Sequence, residues 1–130
     1  VLYVSIHGDP TNFYPVCSGY EDERGSGAGL GCTLNLPMPH GSPESVFLER
    51  LDEALRAIRL FAADALVLCL GFDVYEEDPQ ARVAVTSDGF ERMGAAIADL
   101  GLPTVVVQEG GYHLPSLARN TARFFRGLNG

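Results

Sequence analysis

An α/β chain built on a parallel sheet is what this sequence predicts, and three observations carry the prediction. Val1–Ile6, Ala65–Leu70 and Thr104–Val107 are apolar runs of strand length. Between and after them, apolar residues recur at helical spacing. Two of the strands then run out into polar residues able to do chemistry, Gly71-Phe72-Asp73 and Gln108-Glu109-Gly110-Gly111-Tyr112. Ligands of parallel sheets bind in the crevice beyond the carboxyl ends of the strands. A carboxylate and a phenol delivered to one rim therefore mark it as the place to look. Helices are expected over both faces of such a sheet.

Each element has its own justification. Val1–Ile6 reads as a strand, and the polar, glycine-rich stretch from His7 to about Thr33 reads as a long loop. Loops of that length in compact domains are functional or disordered. Phe13, Tyr14 and Tyr20 favour an ordered active-site loop here. Cys32–Pro37 reads as extended. Ser42-Pro43-Glu44 signals a helix start, with a capping hydroxyl, Pro at the first position and an acid facing the dipole. Phe47, Leu48, Leu51, Leu55 and Ile58 continue that helix. The strand Ala65–Leu70 leads into an acidic loop holding Glu76, Glu77 and Asp78. A second helix starts near Thr86–Asp88, with Phe90, Met93, Ile97 and Leu100 on one face, and Gly101-Leu102-Pro103 ends it. After Thr104–Val107, a last helix begins about Leu114-Pro115 and aligns Leu117, Thr121, Phe124 and Leu128.

Composition narrows the function classes. The 130 residues, 46% of them hydrophobic, suit one domain or part of one. Opening on a strand without Met, the chain reads as a cut through a larger domain. No apolar run approaches the ~20 residues that span a bilayer, so no membrane partner is expected. Cys17, Cys32 and Cys69 form no CxxC pair, which points to neither a disulfide framework nor a zinc knuckle. A reducing cytoplasm is the expected compartment, with Cys69 a small core residue of its strand. The net charge of −8 argues against nucleic acid and for a cationic substrate.

The individual motifs each carry a plain reading beside the chemical one. In Gly25–Gly31 the glycines alternate and extended sequence follows, so the run serves a sharp, closely packed turn rather than a phosphate cradle. Asp73 is either a turn residue or a metal ligand. Tyr112 either packs or donates a hydrogen bond, and Gly110-Gly111 ahead of it permits a tight turn. Glu76, Glu77 and Asp78 form either a solvated acidic loop or an attractor for the distal charge of a cation.

Taken as an ordered series, the motifs have a counterpart. Val4-Ser5-Ile6-His7-Gly8-Asp9-Pro10, Phe13-Tyr14-Pro15, the Gly25–Gly31 run with Asn35-Leu36-Pro37, Leu70-Gly71-Phe72-Asp73 with Asp78-Pro79, Glu109-Gly110-Gly111-Tyr112 and Asn120-Thr121-Ala122-Arg123 together resemble the carboxyl-terminal part of the histone deacetylase superfamily. The likeness is greatest to its bacterial acetylpolyamine amidohydrolase branch. The resemblance implies a three-layer α/β fold of the arginase/deacetylase type, present as its carboxyl-terminal part with the amino-terminal portion missing. It implies a zinc-dependent deacetylase acting on an acetyl-lysine or acetylpolyamine.

Residue by residue, Asp73 matches the family's last zinc-binding Asp and Tyr112 its carbonyl- and oxyanion-binding tyrosine. Tyr14 matches an aromatic wall of the substrate tunnel, and Gly111 a substrate-side position. Ser5 and Ile6 match positions that hold a structural potassium ion. His7 is expected to support the site rather than bind zinc. The family's other zinc ligands, an Asp and a His two residues apart, have no counterpart in these residues, nor has its pair of adjacent histidines. His7, His40 and His113 are scattered. A catalytic zinc takes three protein ligands, so the segment alone is expected to be inactive. The alternatives are a non-catalytic module that binds acyl-amines or a protein, and an arginase-like ureohydrolase, which would need more Asp-rich clusters. A homodimer is compatible with the family resemblance.

Overall fold

The strand and helix periods resolve into three parallel strand pairs and three helices. The computed structural model describes all residues 1–130. In chain order these are β1 (Tyr3–Gly8), β2 (Thr33–Met38), β3 (Ser42–Pro43), α1 (Glu44–Phe61), β4 (Leu66–Leu70), β5 (Val83–Ala84), α2 (Ser87–Ala98), β6 (Thr104–Gln108) and α3 (Leu114–Asn129). β1 pairs with β2, β3 with β5 and β4 with β6, every pair parallel. The expected α/β class with parallel strands is therefore present. The strands form three separate two-stranded ladders.

The three helices bury the faces their spacing predicts. Phe47, Leu51 and Leu55 of α1 join Phe90, Met93 and Ile97 of α2, Phe124 of α3 and Leu70 of β4 in one core, against which Leu66, Leu68 and Val106 pack. Alternate side chains of a strand point to opposite faces. Val67 and Cys69 of β4 and Val105 and Val107 of β6 accordingly leave the core, and Val67 is 68% exposed. This corrects two expectations. Only one face of the β4–β6 pair is covered within these residues, and Cys69 is exposed rather than a core residue. Partial desolvation and the neighbouring Glu109 carboxylate push its thiol pKa up, which disfavours the reactive thiolate.

The start of α1 also differs from expectation. Ser42 is held in β3 opposite Val83, and its hydroxyl donates to the Pro39 carbonyl at 2.7 Å. Pro43 takes the capping position without a side-chain bond. Glu44 serves the neighbouring helix: its carboxylate accepts from the Thr86 N–H at 2.8 Å and the Thr86 hydroxyl at 2.5 Å, and pairs with Arg92 at 3.0 Å. Thr86 in turn caps α2 through Gly89 N–H at 3.0 Å, so the expected start of that helix is correct.

α2 and α3 lie backbone to backbone. A Cβ on Gly127 would stand 2.8 Å from Ala95 N, and one on Gly94 the same 2.8 Å from Leu128 N. At the rim of this contact Arg123 bridges Glu91 at 2.8 Å and Asp88 at 3.1 Å. The Arg123 hydrogen bond holds the Glu91 carboxyl below its ordinary value.

The long loop after β1 is ordered by its own polar groups. His7 Nε2–H donates to the Gly19 carbonyl at 2.8 Å, and His7 Nδ1 lies 2.8 Å from the Ser5 hydroxyl. Asn35 of β2 donates to Tyr20 carbonyl at 3.0 Å and Glu23 at 3.2 Å, while Glu23 accepts from Gly19 N–H. Within the glycine run Gly25, Gly27 and Gly31 have positive φ around a single 3₁₀ turn, the sharp-turn role read from the alternation. No helix is long and apolar enough to cross a membrane.

Candidate active site

The β4–β6 ladder does not stop at the strand ends. Register runs from Leu66 opposite Thr104 to Leu70 opposite Gln108. Beyond it, Glu109 N–H donates to Leu70 carbonyl at 2.9 Å and Phe72 N–H to Gly110 carbonyl at 2.7 Å. This zipped extension brings the Asp73 and Tyr112 segments together, as the strand-end argument anticipates.

Asp73 is seated on glycine backbone. A Cβ at Gly71 would stand 2.7 Å from Asp73 Oδ1, and one at Gly110 2.6 Å from Oδ2. Real Cβ atoms do not approach that closely, so both positions must lack a side chain for the carboxylate to lie where it does. Burial pushes the Asp73 carboxyl up; its own backbone N–H opposes the shift, and the Asp78 and Glu109 carboxylates add to it. An ionised carboxylate crowded in this way by burial and like charge is stabilised by a cation, which fits a metal ligand. No three His, Cys, Asp or Glu side chains of the chain converge into a metal-binding group.

Gly111 follows at φ +143°, where a Cβ would meet Phe72 Cβ at 2.9 Å and Leu117 Cδ1 at 3.1 Å. The turn therefore packs directly on the segment that carries Asp73. Tyr112 projects from it with 58% of its surface exposed, available to something that comes to the rim.

The acidic loop divides. Glu76 and Glu77 are exposed, whereas Asp78 is buried at 6%. Asp78 Oδ2 accepts from Tyr112 N–H at 2.6 Å and from His113 N–H at 2.9 Å, and Oδ1 accepts from Gln80 N–H at 2.9 Å. Asp78 is thus removed from any attraction of distal charge. Asp-Pro inside an acid run was its one visible signal, while its partners lie 34 and 35 residues away. Tyr75 extends the same junction: its ring lies 5.6 Å from the His113 ring, and its hydroxyl accepts from Arg119 at 2.8 Å.

The remaining predicted residues belong to the β1–β2 pair and its loop. Ser5 and Ile6 lie within β1. Tyr14 is 85% exposed, beside Phe13, whose ring stands beneath the Arg82 guanidinium at 4.4 Å and edge-on to His40 at 5.6 Å. Arg82 immediately precedes β5, so this cation–π contact ties the Tyr14 loop toward the segment that follows Asp73.

The family model described as histone deacetylase domain matches residues 1–128. The chain is 67% identical over 128 residues to an acetylpolyamine amidohydrolase of Burkholderia pseudomallei (strain 1710b), covering 98% of this chain and 38% of that protein. It is 46% identical over 130 residues to acetylpolyamine amidohydrolase 1 of Pseudomonas aeruginosa, again 38% of the relative. A crystal structure of an acetylpolyamine aminohydrolase from Burkholderia pseudomallei superposes with TM-score 0.99 at 65% identity, over 100% of this chain and 38% of that one. The chain therefore spans about 38% of the length of these relatives.

Proposed function

The chain belongs to the histone deacetylase domain family, and from that premise we propose that it is the Asp- and Tyr-bearing part of a zinc-dependent amidohydrolase that removes acetyl groups from a polyamine or lysine nitrogen. The reading rests on one observation above all. Asp73, seated on Gly71 and Gly110, stands at the junction that holds Tyr112, in a chain two-thirds identical to an acetylpolyamine amidohydrolase.

In this reading Asp73 is one zinc ligand, and the others come from the part of the relatives' length that residues 1–130 do not span. Bound zinc would supply Lewis-acid polarisation of the acetyl carbonyl and a more acidic water. The chain's own contribution is then Tyr112. Its phenol donates a hydrogen bond to the acetyl oxygen, and more strongly once water has added and that oxygen carries negative charge. As the C–N bond breaks, the water's oxygen stays on the acetyl carbon and its two protons end on the nitrogen, releasing acetate and the protonated amine. Tyr14 offers a flat wall to the methylene chain of the substrate. The net charge of −8 supports a cationic amine as substrate and weighs against nucleic acid. Ser5, whose hydroxyl lies 2.8 Å from His7 Nδ1, offers an oxygen suited to a hard cation such as potassium. Residues 1–130 alone are inactive in this reading.

The test is an acetate-release assay on the zinc-loaded full-length protein, with an acetylated diamine and an acetyl-lysine peptide as substrates. Hydrolysis of the diamine by the full-length protein, and none by residues 1–130, is expected. No acetate from either substrate would sink the reading.

The glycine seat of Asp73 makes a separate prediction. In Gly110→Ala the new methyl displaces the carboxylate, so the zinc affinity of the full-length protein should fall about 10–100-fold, as for loss of other ligand-orienting contacts. A competitive chelator titration measures it, and unchanged affinity would remove Asp73 from the zinc set.

A further inference from the structure

We propose that Asp78 is a positioning residue for Tyr112, its carboxylate fixing the backbone from which the phenol reaches the substrate. The inference rests on the reading of Tyr112 as the oxyanion donor and concerns what aims it.

The turn is fixed as far as Gly111, by the Phe72 N–H bond to the Gly110 carbonyl and by packing on Phe72, and beyond it Asp78 supplies the hold. Tyr112 is 58% exposed, so ring packing does not set its direction. Gly110 and Gly111 precede it and contribute no side chains, while α3 begins only at Leu114. Between the end of β6 and that helix, the backbone at residues 112 and 113 is held by two charge-assisted hydrogen bonds to one carboxylate oxygen, at 2.6 and 2.9 Å. The other oxygen is held by Gln80 N–H at 2.9 Å. Three backbone donors on a carboxylate only 6% exposed satisfy an anion that would otherwise be costly to bury. They also orient it on both sides. The tilted contact of the His113 ring with Tyr75 at 5.6 Å and the hydrogen bond of Ser116 N–H to the His113 carbonyl at 3.1 Å continue the clamp into α3.

Asp78 stands five residues after Asp73 on the same loop. One short segment would therefore carry both a metal ligand and the anchor of the oxyanion donor, each held by its own backbone contacts. Asn at position 78 keeps an acceptor for Tyr112 and His113 but turns its NH₂ toward the Gln80 N–H, a donor facing a donor. Ala removes all three acceptor contacts.

The experiment is a double-mutant cycle on the zinc-loaded full-length protein, following release of acetate from an acetylated diamine. Asp78→Asn and Asp78→Ala are each made alone and together with Tyr112→Phe. Misplacement of a reacting group by about 1 Å can cost on the order of 10²-fold. The expected result is a loss of that size in kcat for Asp78→Ala and a smaller one for Asp78→Asn, each with KM little changed. With Phe at position 112, neither substitution should lower kcat further, since no phenol remains to be aimed. If Asp78→Ala does not fold, as judged by its thermal melt, the cycle with Asp78→Asn decides. Equal fold-losses in the two backgrounds, or full turnover by Asp78→Asn, would overturn the proposal and leave the reading of Tyr112 intact. Full turnover by Tyr112→Phe alone would overturn that reading and the proposal together.

Discussion

Replacing Tyr112 by Phe in the full-length protein is expected to lower kcat roughly 10²–10³-fold, the usual cost of one lost oxyanion donor. The argument is local. The ring stands largely outside the core, so removing its hydroxyl opens no cavity and strands no buried partner. The backbone bonds to Asp78 remain. Fold and zinc content should therefore match the wild type, and steady-state kinetics beside metal analysis separates the chemical loss from a structural one. Wild-type turnover in this variant would take Tyr112 out of the reaction.

The largest stability effect is expected at the contact between α2 and α3. In Gly127→Ala the added methyl meets Ala95 N at 2.8 Å and the Glu91 carbonyl carbon at 2.9 Å. Both are helix backbone, so neither can rotate aside, and the helices must separate. Alanine is worth about 1 kcal/mol more than glycine in a helix interior. Overpacking of about 1–3 kcal/mol or more opposes it, and rigid neighbours on both sides put the cost at the upper end. A net loss of stability is expected, read as a lowered thermal midpoint of the full-length protein. Gly29→Ala, with nothing within 4 Å of its Cβ, is the control that should change little. A raised midpoint for Gly127→Ala would show that propensity outweighs the contact.

Local periodicity made the helices legible. Phe90, Met93 and Ile97 lie on the buried face of α2, as their spacing requires, and Phe124 anchors α3. Strand ends are legible where the apolar runs give way to polar residues, so the corner holding Asp73 and Tyr112 is anticipated. The two-residue strands β3 and β5 escaped because two residues carry no period. Ser42 looks like a cap in sequence because its pairing partner, Val83, lies 41 residues away. The exposure of Cys69 is not legible because a short apolar run does not say which of its two faces is covered. Asp78 was hidden for a related reason: a buried carboxylate that binds distant backbone looks, in sequence, like any other acid in an acidic loop.

The pairing of β3 with β5 and β4 with β6 has a consequence for where the chain can be divided. The two pairs interleave, since β4 lies in sequence between β3 and β5, and β5 between β4 and β6. A break anywhere in the connections from β3 to β6 thus separates the strands of at least one pair, and a break between β1 and β2 separates that pair. Among the connections between one strand and the next, only Pro39-His40-Gly41 lies outside all three closures. An opening there, at the exposed Gly41, leaves every ladder covalently closed, and the turn divides the strand topology into a β1–β2 unit and an inseparable unit running from β3 to β6.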